Sequence, residues 1–325
     1  MSDAIDRSRG RYAPSPTGRL HAGNARTALL AWLSARAGGG TFVVRVEDLD
    51  RARVLPEAEA ALLDDLRWLG LDWDEGPDKE GPHGPYRQTA RGARYDAAID
   101  HLLATGRAFG CACSRSEVAR AASAPHVEDD EGPRYPGTCR ALPAAQVEAR
   151  ARDMGRLPTI RFHGRAARIG FADDILGPLE PFGAAGVDDF VLRRADGVPA
   201  YQLAVVVDDA AMKIDHVVRG TDLVLSTPRQ ISLYRALDLT PPRFAHVPLL
   251  LTRHGDRLAK RTRPVSIADL REREVDPRVI VGRLAASAGL HDGGGQPLSA
   301  TALLAGFGSR REIWARMNRN PAVWD

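Results

Sequence analysis

Apolar positions along the chain switch between helical and strand spacing. Leu29, Leu30 and Leu33 fall at helical intervals within His21–Ala37, a segment closed by Gly38, Gly39 and Gly40. Thr41–Val46 is a nearly unbroken apolar run that stops at Glu47, Asp48 and Asp50, the pattern of a strand buried on both faces. Pro56 opens a helix with Glu57 and Glu59 in its first turn, carries Leu62, Leu63, Leu66 and Leu69, and meets Gly70 as a stop. Another helix fits about 89–105, closed by Gly106. With Arg11–Ala13 as a short leading strand, this rhythm predicts an α/β fold on a doubly wound parallel sheet.

Near Ala108 the rhythm breaks. The stretch 109–155 holds all the cysteines, an acidic loop (HVEDDEGP) and an Ala-rich segment expected to be helical. Asp189–Arg194 and Pro199–Val207 flank Ala-Asp-Gly, which reads as a hairpin. A second α/β stretch follows, with His216–Arg219 as a strand and Pro228–Leu237 as a helix; beyond about 241 the chain reads as helical and basic. The expected divisions are 1–107, first half of a nucleotide-binding fold; 108–198, an insertion; 199–240, the second half; and 241–325, a basic helical region.

Composition narrows the class. Hydrophobic residues at 44% and charged ones at 27% predict a folded globular protein. No apolar run approaches the roughly 18 residues of a membrane helix, and the opening MSDAIDRSRG lacks the core of a signal peptide, so a cytoplasmic location without membrane contact is expected. A net charge of +3 does not by itself point to a polyanion partner. Cys111, Cys113 and Cys139, odd in number and close together, suggest metal or redox chemistry before disulfides. No P-loop, H-E-x-x-H or G-x-S-x-G segment is present.

What is present is Pro14-Ser-Pro-Thr-Gly-Arg-Leu-His-Ala-Gly-Asn24, after the first strand and at a helix start. Helix N-termini offer free N–H groups and a positive dipole end to phosphate. His21 and Asn24, three apart, can aim donors the same way, and Gly23 leaves room for a flat base to approach the backbone.

Together with Arg11-Tyr-Ala-Pro-Ser-Pro-Thr-Gly and Arg45-Val-Glu-Asp-Leu-Asp50, the segment resembles the first half of the class I glutamyl-tRNA synthetases, HAGN standing where that family has its HIGH motif. Gly84-Pro-Tyr-Arg-Gln-Thr, Tyr201 to Asp209, Val218-Arg-Gly-Thr-Asp222 and Gln230 to Tyr234 follow in family order. Arg257-Leu-Ala-Lys-Arg261 is similar to the KMSKS loop, with Arg257 for its first lysine and Ala259 for its serine. The resemblance implies a class I synthetase Rossmann-like fold with a zinc-bearing insertion and a C-terminal helical region resembling a stem-contact fold. It implies that Arg11, Tyr12, Ala13, Pro14, Ser15, Glu47, Tyr201 and Arg219 hold glutamate, and that His21, Gly23, Asn24 and Lys260 hold ATP. His21, Asn24 and Lys260 would stabilise charge on the transferring phosphate, with Mg²⁺ accompanying ATP.

The shortness of the chain resembles the branch of that family that lacks the helical anticodon-binding region, the glutamyl-queuosine tRNA(Asp) synthetases. That resemblance implies glutamate activation without tRNA, transfer to queuosine on the anticodon stem-loop of tRNA(Asp), and action as a monomer. A shortened enzyme charging a tRNA 3′ end and a non-catalytic nucleotide- or RNA-binding relative stay open. Zinc thiolate chemistry asks for a fourth ligand beside Cys111, Cys113 and Cys139: on chemistry alone His126, by the family pattern Tyr135. The five basic residues between Arg253 and Arg263, with Arg310, Arg311, Arg316 and Arg319, are expected to form a phosphate-binding face.

Overall fold

The computed structural model of the chain describes residues 7–121, 134–181, 186–252, 255, 258, 265–294 and 296–324. Strand β1 (Arg9–Tyr12) runs through a Pro/Gly turn into helix α1 (Ala22–Arg36). Its Ala, Leu and Trp side chains are buried around most of the helix, because α1 lies on the sheet and beneath C-terminal helices. Strand β2 (Thr41–Val44), α2 (Ala58–Trp68), a 3₁₀ turn (Gln88–Arg91) and α3 (Gly92–Ala104) complete the first half. Gly70 ends α2 at φ 77°, a left-handed conformation that glycine takes without strain.

The middle of the chain supplies β3 (Ala108–Cys111), α4 (Arg115–Ala121), α5 (Ala144–Asp153), β4 (Thr159–Phe162), β5 (Phe171–Asp173), β6 (Gly177–Leu179) and β7 (Val191–Arg193). Then come α6 (Tyr201–Ala211), β8 (His216–Gly220), α7 (Thr227–Ala236), β9 (Arg243–Val247) and β10 (Leu250–Leu251). The last stretch holds α8 (Ile267–Glu272), α9 (Pro277–Ser287), α10 (Ala300–Ala305), α11 (Arg310–Arg316) and β11 (Ala322–Val323).

The main sheet runs β2-β1-β8-β9-β5-β6, parallel from β2 to β5 with β6 antiparallel at its edge. Successive side chains enter opposite cores, as a strand covered on both faces requires. Val218 packs with α1 and the C-terminal helices, whereas Val217 packs with α3, α6 and α7. This is the expected doubly wound architecture. Strands β3, β4 and β7 form a separate antiparallel sheet, and the cysteines sit in a small third core.

Three features differ from the sequence expectation. Pro199–Val207 is not the second arm of a hairpin: pairing ends near Pro199 and Ala200, and Tyr201 begins α6. That helix is buried almost all round, so it carries no polar stripe to set its apolar run apart from a strand. Strand β9 lies beyond the boundary expected at 241, yet pairs with β8 over five residues as a buried member of the main sheet. From within the stretch expected as insertion, β5 and β6 also join that sheet. No described helix is long and apolar enough to cross a membrane.

Candidate active site and cysteine cluster

Parallel strands deliver their following segments to one edge of the sheet, and the winding reverses at β1, between β2 and β8. Ligands of open α/β sheets bind at such an edge. A cleft of about 310 Å³ lies there, built from the ends of β1, β2 and β8, the first turns of α1 and α6, and the segment after β9. It brings together Arg11, Tyr12, Ala13, Pro14, Ser15, His21, Gly23, Asn24, Glu47, Tyr201 and Arg219 from the sequence reading. Lys260 lies outside the described residues, as do Arg257 and Ala259; Leu258 between them is buried and lines the cleft.

Backbone bonds fix the floor. Glu47 N donates to Pro14 O at 2.9 Å and Arg45 N to Tyr12 O at 3.0 Å, joining the exits of β1 and β2. Asp209 in α6 accepts from Arg11 Nε at 3.4 Å and from Arg45 Nη1 at 2.6 Å, while Arg45 Nη2 donates to Glu47 Oε1 at 3.2 Å. Burial pushes the Asp209 carboxyl up, but Arg45 and Arg11 outweigh it and hold the group below its ordinary range. At Glu47 burial wins over Arg45 and Arg11, and its carboxyl sits above the ordinary value. Arg45 is wholly buried and also approaches Asp208 at 3.7 Å, so its charge is met by carboxylates from Glu47, Asp208 and Asp209 together.

Arg219 is held differently. Its Nη1 donates to Gln230 Oε1 and its Nη2 to Thr227 Oγ1, both at 2.7 Å; its Nε donates to His246 Nε2 at 3.0 Å. Every one of these acceptors among the described residues is neutral. Tyr201, first residue of α6, keeps 36% of its surface exposed beside the cleft.

His21 is the N-cap residue of α1, its Nδ1 accepting from Asn24 N at 3.4 Å. That leaves Nε2 to carry the ring proton of the neutral imidazole, the form that burial favours by lowering the pKa. A Cβ on Gly23 would come within 3.2 Å of the His21 ring, so a side chain there would press the imidazole out of place. Asn24 is exposed one turn in.

Several structural members of the site were not singled out in the sequence: Arg45, Asp208, Asp209, Asp173, His246 and Arg26, whose guanidinium donates to Pro248 O beside the cleft. The available signal was charge inside apolar runs. Arg45 interrupts Phe42–Val46, and Asp208 and Asp209 end Leu203–Val207. A charge in a buried element must be paired.

In the cysteine cluster, the three Sγ atoms lie within 4.8 Å of one another. Cys113 and Cys139 are 3.5 Å apart, and Tyr135 Oη lies 3.4 Å from Cys111 Sγ and 3.9 Å from Cys113 Sγ. The edges of a zinc tetrahedron with S and O ligands are roughly 3.5–3.8 Å, so the three thiols suit such an ion in type and the 3.4, 3.5 and 3.9 Å separations are close to its edges. Cys139 N donates to Tyr135 Oη at 2.7 Å, and the Arg161 guanidinium lies 4.1 Å from the centre of that ring, contacts that hold the phenol beside the thiols. His126 lies outside the described residues. On the C-terminal surface Arg311, Arg316 and Arg319 are exposed, but Arg310 is buried as the first residue of α11 and does not join that face; most of 253–263 is outside the described residues.

Known proteins place this architecture. Residues 8–301 match the family model for the catalytic domain of class I tRNA synthetases of the E and Q type. The chain belongs to that family, and it is a ligase. Within it, the chain is similar to the glutamyl-Q tRNA(Asp) synthetase of Symbiobacterium thermophilum, 55% identical over 284 residues, 87% of each chain. The protein of the same name from Nitratidesulfovibrio vulgaris is 48% identical over 87% of this chain and 86% of its own. A crystal structure of a glutamate tRNA ligase from Elizabethkingia meningosepticum in complex with its amino acid aligns with a TM-score of 0.80 at 27% identity, over 98% of this chain and 67% of that one.

Proposed function

We propose that the chain uses ATP to activate L-glutamate, with no tRNA required, and passes the glutamyl group to queuosine at the wobble position of tRNA(Asp). The observation that carries the amino-acid half is the charge of the cleft: Arg11, tied to Asp209, and Arg219, tied to no carboxylate among the described residues, face the same space. A guanidinium fork suits a planar carboxylate, and an acidic amino acid brings two. Glu47 is the anion for the α-amino group. Tyr201, Tyr12 and the Ala13-Pro14-Ser15 turn complete the wall.

The glutamate α-carboxylate then attacks the α-phosphorus of ATP in line, and pyrophosphate leaves. Nε2–H of His21 and the amide of Asn24 line the cleft and meet the charge that builds on phosphate oxygens, the Lys260 ammonium supplying a further positive charge. Mg²⁺ bound with ATP would supply neutralising charge for the leaving pyrophosphate. A cyclopentenediol hydroxyl of queuosine attacks the glutamyl carbonyl of the adenylate as a ribose hydroxyl would, forming the ester while the acyl–phosphate bond breaks and AMP and the hydroxyl proton leave. The anticodon stem-loop docks along Arg311, Arg316 and Arg319, and zinc on Cys111, Cys113, Cys139 and Tyr135 holds the insertion. The chain acts as a monomer.

Two measurements test this. Glutamate-dependent exchange of pyrophosphate into ATP should proceed without tRNA, and Lys260→Ala should slow it by about 10²–10³, the cost of one lost transition-state donor. Labelled glutamate incubated with ATP and total tRNA should stay with the anticodon fragment of queuosine-bearing tRNA(Asp) after nuclease cleavage. The structural likeness to a glutamate tRNA ligase supplies the second reading, which label on a 3′-terminal adenosine would establish instead.

A further inference from the structure

Behind Arg219 lies a buried chain of three groups from three strands. Asp173 ends β5, His246 lies in β9 and Arg219 in β8. Asp173 Oδ2 is 2.6 Å from His246 Nδ1, and His246 Nε2 is 3.0 Å from Arg219 Nε. The side chains of His246 and Asp173 are fully buried, and the Arg219 residue is 4% exposed. A carboxylate can only accept a hydrogen bond and a guanidinium can only donate one. The ring proton is therefore on Nδ1, and Nε2 presents a lone pair to Arg219. Asp173 is itself anchored, its Oδ1 accepting from Ile175 N at 3.0 Å and Leu176 N at 2.9 Å.

We propose that Asp173 and His246 are positioning residues that orient Arg219 while leaving its charge uncompensated. This inference rests on the glutamate reading above. The contrast with the neighbouring cations carries it. Arg11 and Arg45 share the Asp209 carboxylate directly, and Arg45 also bonds Glu47, so their charge is largely met inside the protein. Arg219 gains orientation from Asp173 through an imidazole, which keeps the anion one ring away. A neutral acceptor fixes the fork; it does not neutralise it. The remaining positive charge selects a substrate carboxylate over a carboxamide.

Asp173→Asn tests this with the same side-chain outline, although it also sets the amide nitrogen against His246 N, which donates to Oδ2 at 3.1 Å, so His246→Gln and His246→Phe stand beside it. Ile175 N and Leu176 N keep the amide oxygen at the Oδ1 position, so the amide nitrogen faces His246 Nδ1 and forces the ring proton to Nε2, which turns to Thr227 Oγ1 at 3.2 Å and no longer accepts from Arg219 Nε–H. The expected result is a rise of about 10–100-fold in KM for glutamate, the scale of one hydrogen bond to a charged group. KM for ATP and kcat should change less than about threefold. Nitrogen NMR should show His246 Nε2 unprotonated in the wild type and protonated in the variant, a readout that needs no substrate. Should Asp173→Asn fail to fold, His246→Gln, which can offer an oxygen to Arg219, should retain glutamate affinity that His246→Phe loses. Unchanged KM for glutamate in Asp173→Asn, equal losses in His246→Gln and His246→Phe, or a wild-type ring protonated at Nε2 would each overturn the proposal. A wild-type chain that exchanges pyrophosphate with another amino acid, its His246 tautomer as described, would overturn the glutamate reading alone.

Discussion

Asp65 shows what one buried carboxyl does to this chain. It sits in α2 at 2% exposure, with Oδ2 unpartnered among the described residues, and burial raises its pKa to about 6 against the pull of Arg271 and Arg19. A carboxyl whose folded value is raised stabilises the fold while protonated and loses that contribution as pH climbs through the folded value. Asp65→Asn should therefore unfold later than wild type at about pH 8 and show little difference at about pH 4, the two-unit shift being worth on the order of 2–3 kcal/mol. Thermal melts across pH check this, and an equal offset at both ends would refute it. Single residues were legible where resemblance named them: Arg11, Glu47, Tyr201 and Arg219 do meet in one cleft. Asp173 and His246 were not, because no local pattern links two polar residues 73 positions apart that meet only when β5 and β9 pair.

The cysteine cluster links elements that regular secondary structure does not. Cys111 ends β3, Cys113 follows it, and Cys139 lies just before α5, with Val118, Val147 and Ala151 packed around them. So small a core gains much of its stability from a metal when one binds. One zinc per chain should co-purify; Cys111→Ser should release it and expose 109–155 to protease while ATP binding persists. Full metal content in Tyr135→Phe together with loss in His126→Ala would reassign the fourth ligand. Elements were readable where a polar boundary marked them, as His21 and the Gly38–Gly40 run mark α1. Helix α6 and strand β9 are buried nearly throughout, so hydrophobicity alone could not assign the first or attach the second to the sheet.

At the scale of the molecule the two proposed reaction steps would use different surfaces, and salt should separate them. The proposed activation would take place in a cleft lined by buried charges, whereas the proposed RNA docking on the exposed Arg311, Arg316 and Arg319 would release counterions. Raising salt from about 50 to about 200 mM should weaken tRNA binding by roughly 20–40-fold if three phosphates are engaged. Pyrophosphate exchange should barely change; parallel losses would place RNA recognition elsewhere. The global plan was legible because the βα rhythm repeats, while the return of β5, β6 and β9 to the main sheet depends on long-range pairing that a linear pattern does not record. Pairing at such distance also has a tempo. Strand β1 meets β2 about 30 residues downstream, but its other edge waits for β8, about 200 residues later. At a ribosome's 5–20 residues per second that wait lasts roughly 10–40 s, during which a nascent half-sheet shows an unpaired edge and an apolar face. Translation speed, and any chaperone able to shield that edge, thus become part of how the cleft between Arg11 and Arg219 is made.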